Sequence, residues 1–370
     1  MKKKINIITI TLCVATVLTF LSLFLILPDQ KLSQAENRVL KNLPDFSISN
    51  LISGEYTADL SEYISDQFPA RDVFVATKAY SELLLGKRQN NGIIYGKNNT
   101  LISTAPPGER LQENIDIVKE FKIATGTPVC LAILPSSIDV FAEYLPKSYD
   151  MSANDNLWQQ FYAQSENSNL KVAQLYTSLC ESNNYYRTDH HYTSFGAFQT
   201  YELLGKELGF DAKSKEFFNL ETVSNEFCGT SMRSSAFYLT PKDTITLFRY
   251  SGDEDYTVIA DSKQISLYDM SKLDTADKYA VFLGGNHARV DITSDKEKPK
   301  LLIIRDSFAD SIAPFLAIHY DLTLIDLRYY NDNVQQLVSD ENFDQILILE
   351  SITEFSSAKN ISYLKLGAIK

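Results

Sequence analysis

The chain has 370 residues, long for one hydrophobic core and short for three, so one large domain with an appendage is expected. Its net charge of −12, with no Lys/Arg cluster beyond the first four residues, argues against a nucleic-acid partner, which needs a basic footprint. Four cysteines without a CxxC or Cys/His spacing argue against a zinc site, and the 21 Tyr and 21 Phe read mainly as core.

The chain opens with "MKKKINIITITLCVATVLTFLSLFLILPDQ". Three lysines precede an uncharged run from Ile5 to Leu27, roughly 34 Å long as a helix, enough to cross a bilayer. The lysines favour the cytoplasmic side and place the remainder outside it. A retained anchor is favoured over a cleaved signal peptide, because no small-x-small site precedes Pro28. Residues 1–28 are thus assigned to the anchor, 29–75 to a stalk with N-terminal helices, and 76–370 to the main domain. ATP, NADH and coenzyme A are poor partners for an exported protein, and no cofactor is expected.

In the stalk, Leu60, Tyr63 and Ile64 share a helical face, and Pro69 marks a break. "NGIIYGKNNTLI" reads as a hairpin. Leu111, Ile115, Val118 and Phe121 follow helical spacing, which Gly126 ends. "TPVCLAILP" reads as a buried strand, and "NLKVAQLYTSLCESNN" as a helix. Ala197, Tyr201, Leu204 and Leu208 mark another helix. Residues 220–275 hold short strands between polar turns, a β-rich insertion. "KPKLLIIRDSFADSIAPFLAIHY" then gives strand, tight turn and helix, and "LTLIDLRY", "NVQQLVS" and "DQILILES" continue the alternation. The expected class is α/β, a mostly parallel sheet flanked by helices.

Two stretches carry candidate chemistry. In "YYRTDHHYTSFGAF", Asp189, His190 and His191 stand together, half of the chain's four histidines. In "LLIIRDSFADS", Asp306-Ser307 follows an apolar strand directly and precedes a helix. Ligands of open parallel sheets bind at strand carboxyl ends, and a helix N-terminus favours an oxyanion there. Taken alone, Asp306 or Ser307 is better read as a helix N-cap. The pairing with Asp-x-His shifts that balance. A serine needs a base to take its proton, a histidine titrates near the working pH, and a carboxylate orients the imidazole. Thr193 or Ser194 can cap the following helix and fix the loop.

"TDHHYTSFGAF" resembles the signature of the DHHW protein family, named for Asp-His-His-Trp and similar to the SGNH-hydrolase-like proteins that O-acetylate alginate and other exported polysaccharides. "AENRVL", "DQFPARD", "ILPSS", "GGNH", "IIRDSF" and "IDLRYY" extend the likeness over most of the exported region. The resemblance implies an SGNH-hydrolase-like fold, with Ser307 as nucleophile, His191 as base and Asp189 as its orienter. It implies that the Gly285 N–H or the Asn286 side chain holds an oxyanion. Two departures stand out. Tyr192 replaces the family Trp as an aromatic wall. Arg305 stands where many relatives have Gly, facing either an anionic substrate or a nearby carboxylate. His190 is placed near the substrate without a defined role. A polysaccharide substrate and a membrane-bound O-acyltransferase partner supplying acetyl groups are likewise implied.

The function expected is O-acetyl transfer to, or removal from, an exported polysaccharide through an acyl-serine. Two other classes compete. A metal-dependent phosphoesterase needs more Asp/His ligands than His287 and His319 add. A non-catalytic polysaccharide-binding protein would keep the fold and the aromatic groove without turnover.

Overall fold

The computed structural model describes residues 2–33, 35–36, 38–104, 108–182 and 184–365. They fall into two compact units: Met1–Lys87 with Arg233–Tyr238, and Arg88–Met232 with Leu239–Lys370. The helix Arg71–Leu84 runs through the expected boundary at 75/76, so the compact division comes after Lys87 instead.

In the first unit, the helix Lys2–Ile26 contains a 22-residue apolar span, Ile5–Ile26, with mean hydropathy 2.4, long and apolar enough to cross a membrane. Helices Glu55–Asp66 and Arg71–Leu84 flank the break at Pro69, where Ala70 takes a left-handed turn at φ 58°. Two of the motifs quoted above meet here. Arg38 of "AENRVL" grips Asp66 of "DQFPARD" through both terminal guanidinium nitrogens, and Arg71 reaches back to Glu36 at 2.8 Å. Asn37 of that motif lies outside the described residues.

The second unit is built on an eight-stranded sheet. Across it run Lys263–Ile265, Thr257–Ala260, Arg289–Thr293, Asp321–Ile325, Lys300–Arg305, Gln345–Ser351, Val129–Leu134 and Lys171–Val172. The five from Asp321–Ile325 to Lys171–Val172 pair in parallel, and the first three join antiparallel. Every residue of Val129–Leu134 and of Leu301–Arg305 is buried, which explains why these strands read as unbroken apolar runs rather than alternating ones. The period of two still sorts them. Leu301, Ile303, Leu347, Leu349, Cys130 and Ala132 join one core, while Leu302, Ile304, Ile346, Ile348, Val129 and Leu131 join the core on the other face.

Helices Leu111–Thr125 and Ser194–Leu208 form as their spacing predicts, and each ends in a left-handed glycine, Gly126 at φ 68° and Gly209 at φ 82°. The expected helix over "NLKVAQLYTSLCESNN" is shorter, Tyr176–Ser182. Lys171–Val172 instead adds an edge strand beside Val129–Leu134. A two-residue ladder is too short to leave a periodic signal. The β-rich stretch is divided between two sheets. Asn219–Phe227 and Asp243–Arg249 pair as a separate antiparallel ribbon, while Thr257–Ala260 and Lys263–Ile265 extend the main sheet.

Candidate active site

Ser307 stands at the carboxyl end of Lys300–Arg305, with parallel neighbours on both sides. The residue before it fixes the turn. Asp306 accepts the Phe308 N–H at 2.9 Å and the Ser351 N–H at 2.8 Å, tying the turn to the end of the adjacent strand. The helix Ala309–Leu316 follows. Asp306 thus holds the turn ahead of that helix, which leaves the Ser307 hydroxyl to another partner.

That partner is His191. Its Nε2 lies 2.7 Å from Ser307 Oγ, and its Nδ1 lies 2.6 Å from Asp189 Oδ1. Asp189 Oδ1 also accepts the His191 backbone N–H at 3.0 Å, and Oδ2 accepts the Thr230 N–H at 2.7 Å and hydroxyl at 3.0 Å. Burial alone would raise the Asp189 pKa. The neighbouring His191 and His190 rings, which favour the ionised carboxylate, together with the hydrogen bonds from His191 and Thr230, outweigh it and hold the carboxyl well below its usual range. The loop bearing these groups is fastened at both ends. Asp243, at the start of the outer ribbon's second strand, accepts the Arg187 and Thr188 N–H groups at 3.0 and 2.7 Å. Thr193 caps the helix Ser194–Leu208 by accepting the Gly196 N–H.

Four functional contributions were not read from the sequence. Tyr279 stacks on the His191 ring, with centroids 4.1 Å apart and planes 8° from parallel, and donates its hydroxyl to the Ser307 carbonyl at 3.2 Å. One side chain therefore braces both His191 and Ser307. Burial pushes its phenol well above the ordinary range, so it stays protonated. Thr230 supplies both donors to Asp189 Oδ2. Gly229 lets Thr230 approach: a Cβ there would lie 2.6 Å from the Thr188 carbonyl and closer still to Asp189. Asp243 is the fourth. The one local signal was "FCGTS", a Gly-Thr-Ser run in an otherwise strand-rich stretch. Gly229→Ala should displace Asp189 and lower turnover by about 10²-fold, the usual cost of an ångström-scale misplacement, with little change in substrate KM. Steady-state kinetics on the purified variant checks this.

Several expected site residues are placed elsewhere. Gly285 donates its N–H to the Phe282 carbonyl at 3.3 Å, Asn286 is exposed, and neither lines the cavity at Ser307. Tyr192 is fully buried and donates its hydroxyl to the Phe308 carbonyl at 2.7 Å. It supports the Ser307 turn from within rather than standing as a wall of the cavity. Arg305 is buried against Asp310, with Nη1 2.8 Å from Oδ1, so of the two alternatives the nearby carboxylate is the one observed. Burial raises Asp310 to about 7 against the pull of Arg305. Without Arg305 the buried Asp310 carboxyl keeps its proton at neutral pH, so Arg305→Met should lose stability in urea denaturation as pH rises above 7. Adding Asp310→Asn should restore most of that loss.

The cavity beside Ser307 holds about 180 Å³, and His190, Ser136, Ser137, Arg328 and Glu354 also line it. Arg328 is engaged with Asp326 through Nε at 2.9 Å and Nη2 at 2.6 Å. Roomier hollows of about 310 and 320 Å³ lie elsewhere, but no histidine lines either. Asp189, His190 and His191 offer three metal-ligand atoms within 4.8 Å of one another. Both Asp189 oxygens, both His191 nitrogens and His190 Nδ1 are already spent on protein hydrogen bonds, so a metal would have to break that network.

A model of the DHHW protein family matches residues 111–325, more than half of the chain and inclusive of Asp189, His191 and Ser307. The chain belongs to the DHHW protein family. Among curated relatives, this DHHW protein is similar to the "Probable alginate O-acetylase AlgJ" of Pseudomonas putida, 26% identical over 160 residues. That match takes in 40% of this chain and 42% of the relative, so the chain spans less than half of the relative's length. Among solved structures, a DHHW family protein from Eubacterium siraeum superposes with a TM-score of 0.61 at 22% identity, over 75% of this chain and 96% of that one. Bacillus cereus PatB1 gives a TM-score of 0.62 at 17% identity, over 73% and 99%. These neighbours share the SGNH-hydrolase-like α/β fold expected from the sequence.

Proposed function

We propose that this DHHW protein transfers an O-acetyl group to, or removes one from, a cell-surface or exported polysaccharide by way of an acetyl-serine. The observation that carries this reading is the continuous hydrogen-bonded line from Ser307 Oγ through His191 to Asp189, at the carboxyl end of a central parallel strand. Ser307 Oγ attacks the acetyl carbonyl while His191 Nε2 takes its proton. The proton passes to the leaving group, and an ester to Ser307 remains. In the second half, His191 takes the proton of an incoming hydroxyl, that oxygen attacks the ester, and Ser307 recovers its proton. The Ser307 backbone N–H donates to no described residue and is the donor proposed for the developing oxyanion. The name of the Pseudomonas relative favours a polysaccharide hydroxyl as acceptor over water.

The apolar span Ile5–Ile26 supports a single-pass protein with its main domain outside the cytoplasm. An acetyl donor made inside must then cross the bilayer, and a membrane-bound O-acyltransferase would meet that need. The reading is tested on the full chain in detergent, with 4-nitrophenyl acetate as donor and a hydroxyl-rich polysaccharide as acceptor. Chelator-resistant acetylation, with an acetyl group mapped to the Ser307 peptide, is expected. Activity abolished by chelator, or acetylation mapped to another residue, overturns it.

A further inference from the structure

His190 stands between the candidate triad and the cavity, and its hydrogen bonds fix its tautomer. Thr230 Oγ1 lies 3.0 Å from Asp189 Oδ2 and 2.7 Å from His190 Nδ1. Asp189 is an ionised acceptor, so the single Thr230 hydroxyl hydrogen goes to it. Thr230 oxygen must then accept from His190, which places the imidazole proton on Nδ1 and the lone pair on Nε2. His191 carries the same tautomer, because its Nδ1 also faces Asp189. Two adjacent imidazoles, with ring centroids 3.9 Å apart, thus each present an Nε2 lone pair. Ser307 engages that of His191. That of His190 has no partner among the described residues, retains solvent access, and belongs to a ring lining the same cavity as Ser307. Burial against Phe308 and the adjacent His191 ring push the His190 pKa down to about 4, so the ring is neutral at neutral pH while its edge remains open to the cavity.

We propose that His190 Nε2 is an acceptor subsite that receives a hydrogen bond from a second hydroxyl of the incoming sugar, so that the substrate class is a saccharide carrying vicinal hydroxyls. One hydroxyl gives its proton to His191 and attacks the acetyl-serine. Its neighbour on the sugar ring donates to His190 and sets the angle of attack. A lone alcohol fills only the first position. This inference rests on the acetyl-transfer reading of Ser307.

The test uses the full chain in detergent with 4-nitrophenyl acetate as donor and two competing acceptors, methyl glucopyranoside and ethanol. His190→Asn keeps an N–H for Thr230 and removes the Nε2 lone pair. The readout is the ratio of acetylated glucoside to acetylated ethanol, in which any change common to both acceptors cancels. The ratio should fall about tenfold in His190→Asn, the size of one net hydrogen bond. An unchanged ratio overturns the subsite. His190→Ala, which also drops the Thr230 bond, should add a slower acetylation step shared by both acceptors. Glucoside binding followed by saturation-transfer NMR in a Ser307→Ala background separates the two ideas. Loss of the signal on adding His190→Asn supports the subsite even if no transfer is seen, and the failure then belongs to the acetyl-transfer reading alone. An equal signal in both overturns the subsite.

Discussion

Ser307→Ala should abolish acetyl turnover, with a fall on the order of 10⁴-fold or more, while the protein stays folded. The size follows from the place of the hydroxyl. Ser307 Oγ is the group on His191 Nε2, at 2.7 Å, and the carboxyl-end turn presents it beside a backbone N–H that donates to nothing else described. Removing it deletes the covalent step and leaves only what orientation and the N–H contribute. The fold should tolerate the change. Asp306, Phe308 and Ser351 hold the turn without the serine side chain, and position 307 itself lines the cavity, where water can replace the lost hydroxyl. Two measurements check this: intact mass after a short pulse of 4-nitrophenyl acetate, and the thermal midpoint. Wild type should gain one acetyl group and the variant none, at midpoints within a few degrees. A variant that acetylates at the wild-type rate removes Ser307 from the chemistry.

The sequence carried those parts of the site that rest on short-range patterns. Lys300–Arg305 was legible because a strand buried on both faces is an apolar run, and the helix after it starts at Ala309, one residue beyond Phe308. The Asp189–His191 spacing was legible because both groups lie on one loop. The supports were not legible, because they come from far along the chain and carry no pattern of their own. Tyr279 is 88 residues from His191, on a short 3₁₀ turn, and nothing local marks its ring as the one that stacks there. Asp243 and Thr230 lie in the stretch that read only as β-rich. Yet Asp243 holds the start of the catalytic-candidate loop, and Thr230 holds Asp189. The outer ribbon is therefore the scaffold for that loop, which composition did not reveal. Tyr192 and Arg305 show the converse. Tyr192 departed from an expected residue beside the motif and so read as a substrate wall, while Arg305 read equally as facing an anionic substrate or a nearby carboxylate. Burial and their partners Phe308 and Asp310 make each a support of the Ser307 turn instead.

Asp189→Asn should lower turnover by about 10³–10⁴-fold at neutral pH, although it changes one atom type. All four hydrogen bonds to Asp189 arrive as donors: the backbone N–H and Nδ1–H of His191 on Oδ1, and the N–H and hydroxyl of Thr230 on Oδ2. An asparagine has one acceptor side. With its amide nitrogen toward His191, Nδ1 must become the acceptor, so the imidazole proton moves to Nε2 and points at Ser307. The base is then lost. With its nitrogen toward Thr230, the hydroxyl can rotate to accept but the backbone N–H cannot, and a buried donor faces a donor at a cost of about 1–3 kcal/mol. Either flip is worse than the carboxylate. The ¹⁵N shifts of His191 report which is chosen, and kcat reports the consequence. The same substitution has a pH signature of defined sign. The native carboxyl is held well below its ordinary range, so its stabilisation is present above that range and is lost as pH falls through the lowered value. Acid titration of wild type should show that loss, and Asp189→Asn should not. Turnover within a few-fold of wild type in Asp189→Asn would show that the His191 tautomer is set by something other than this carboxylate.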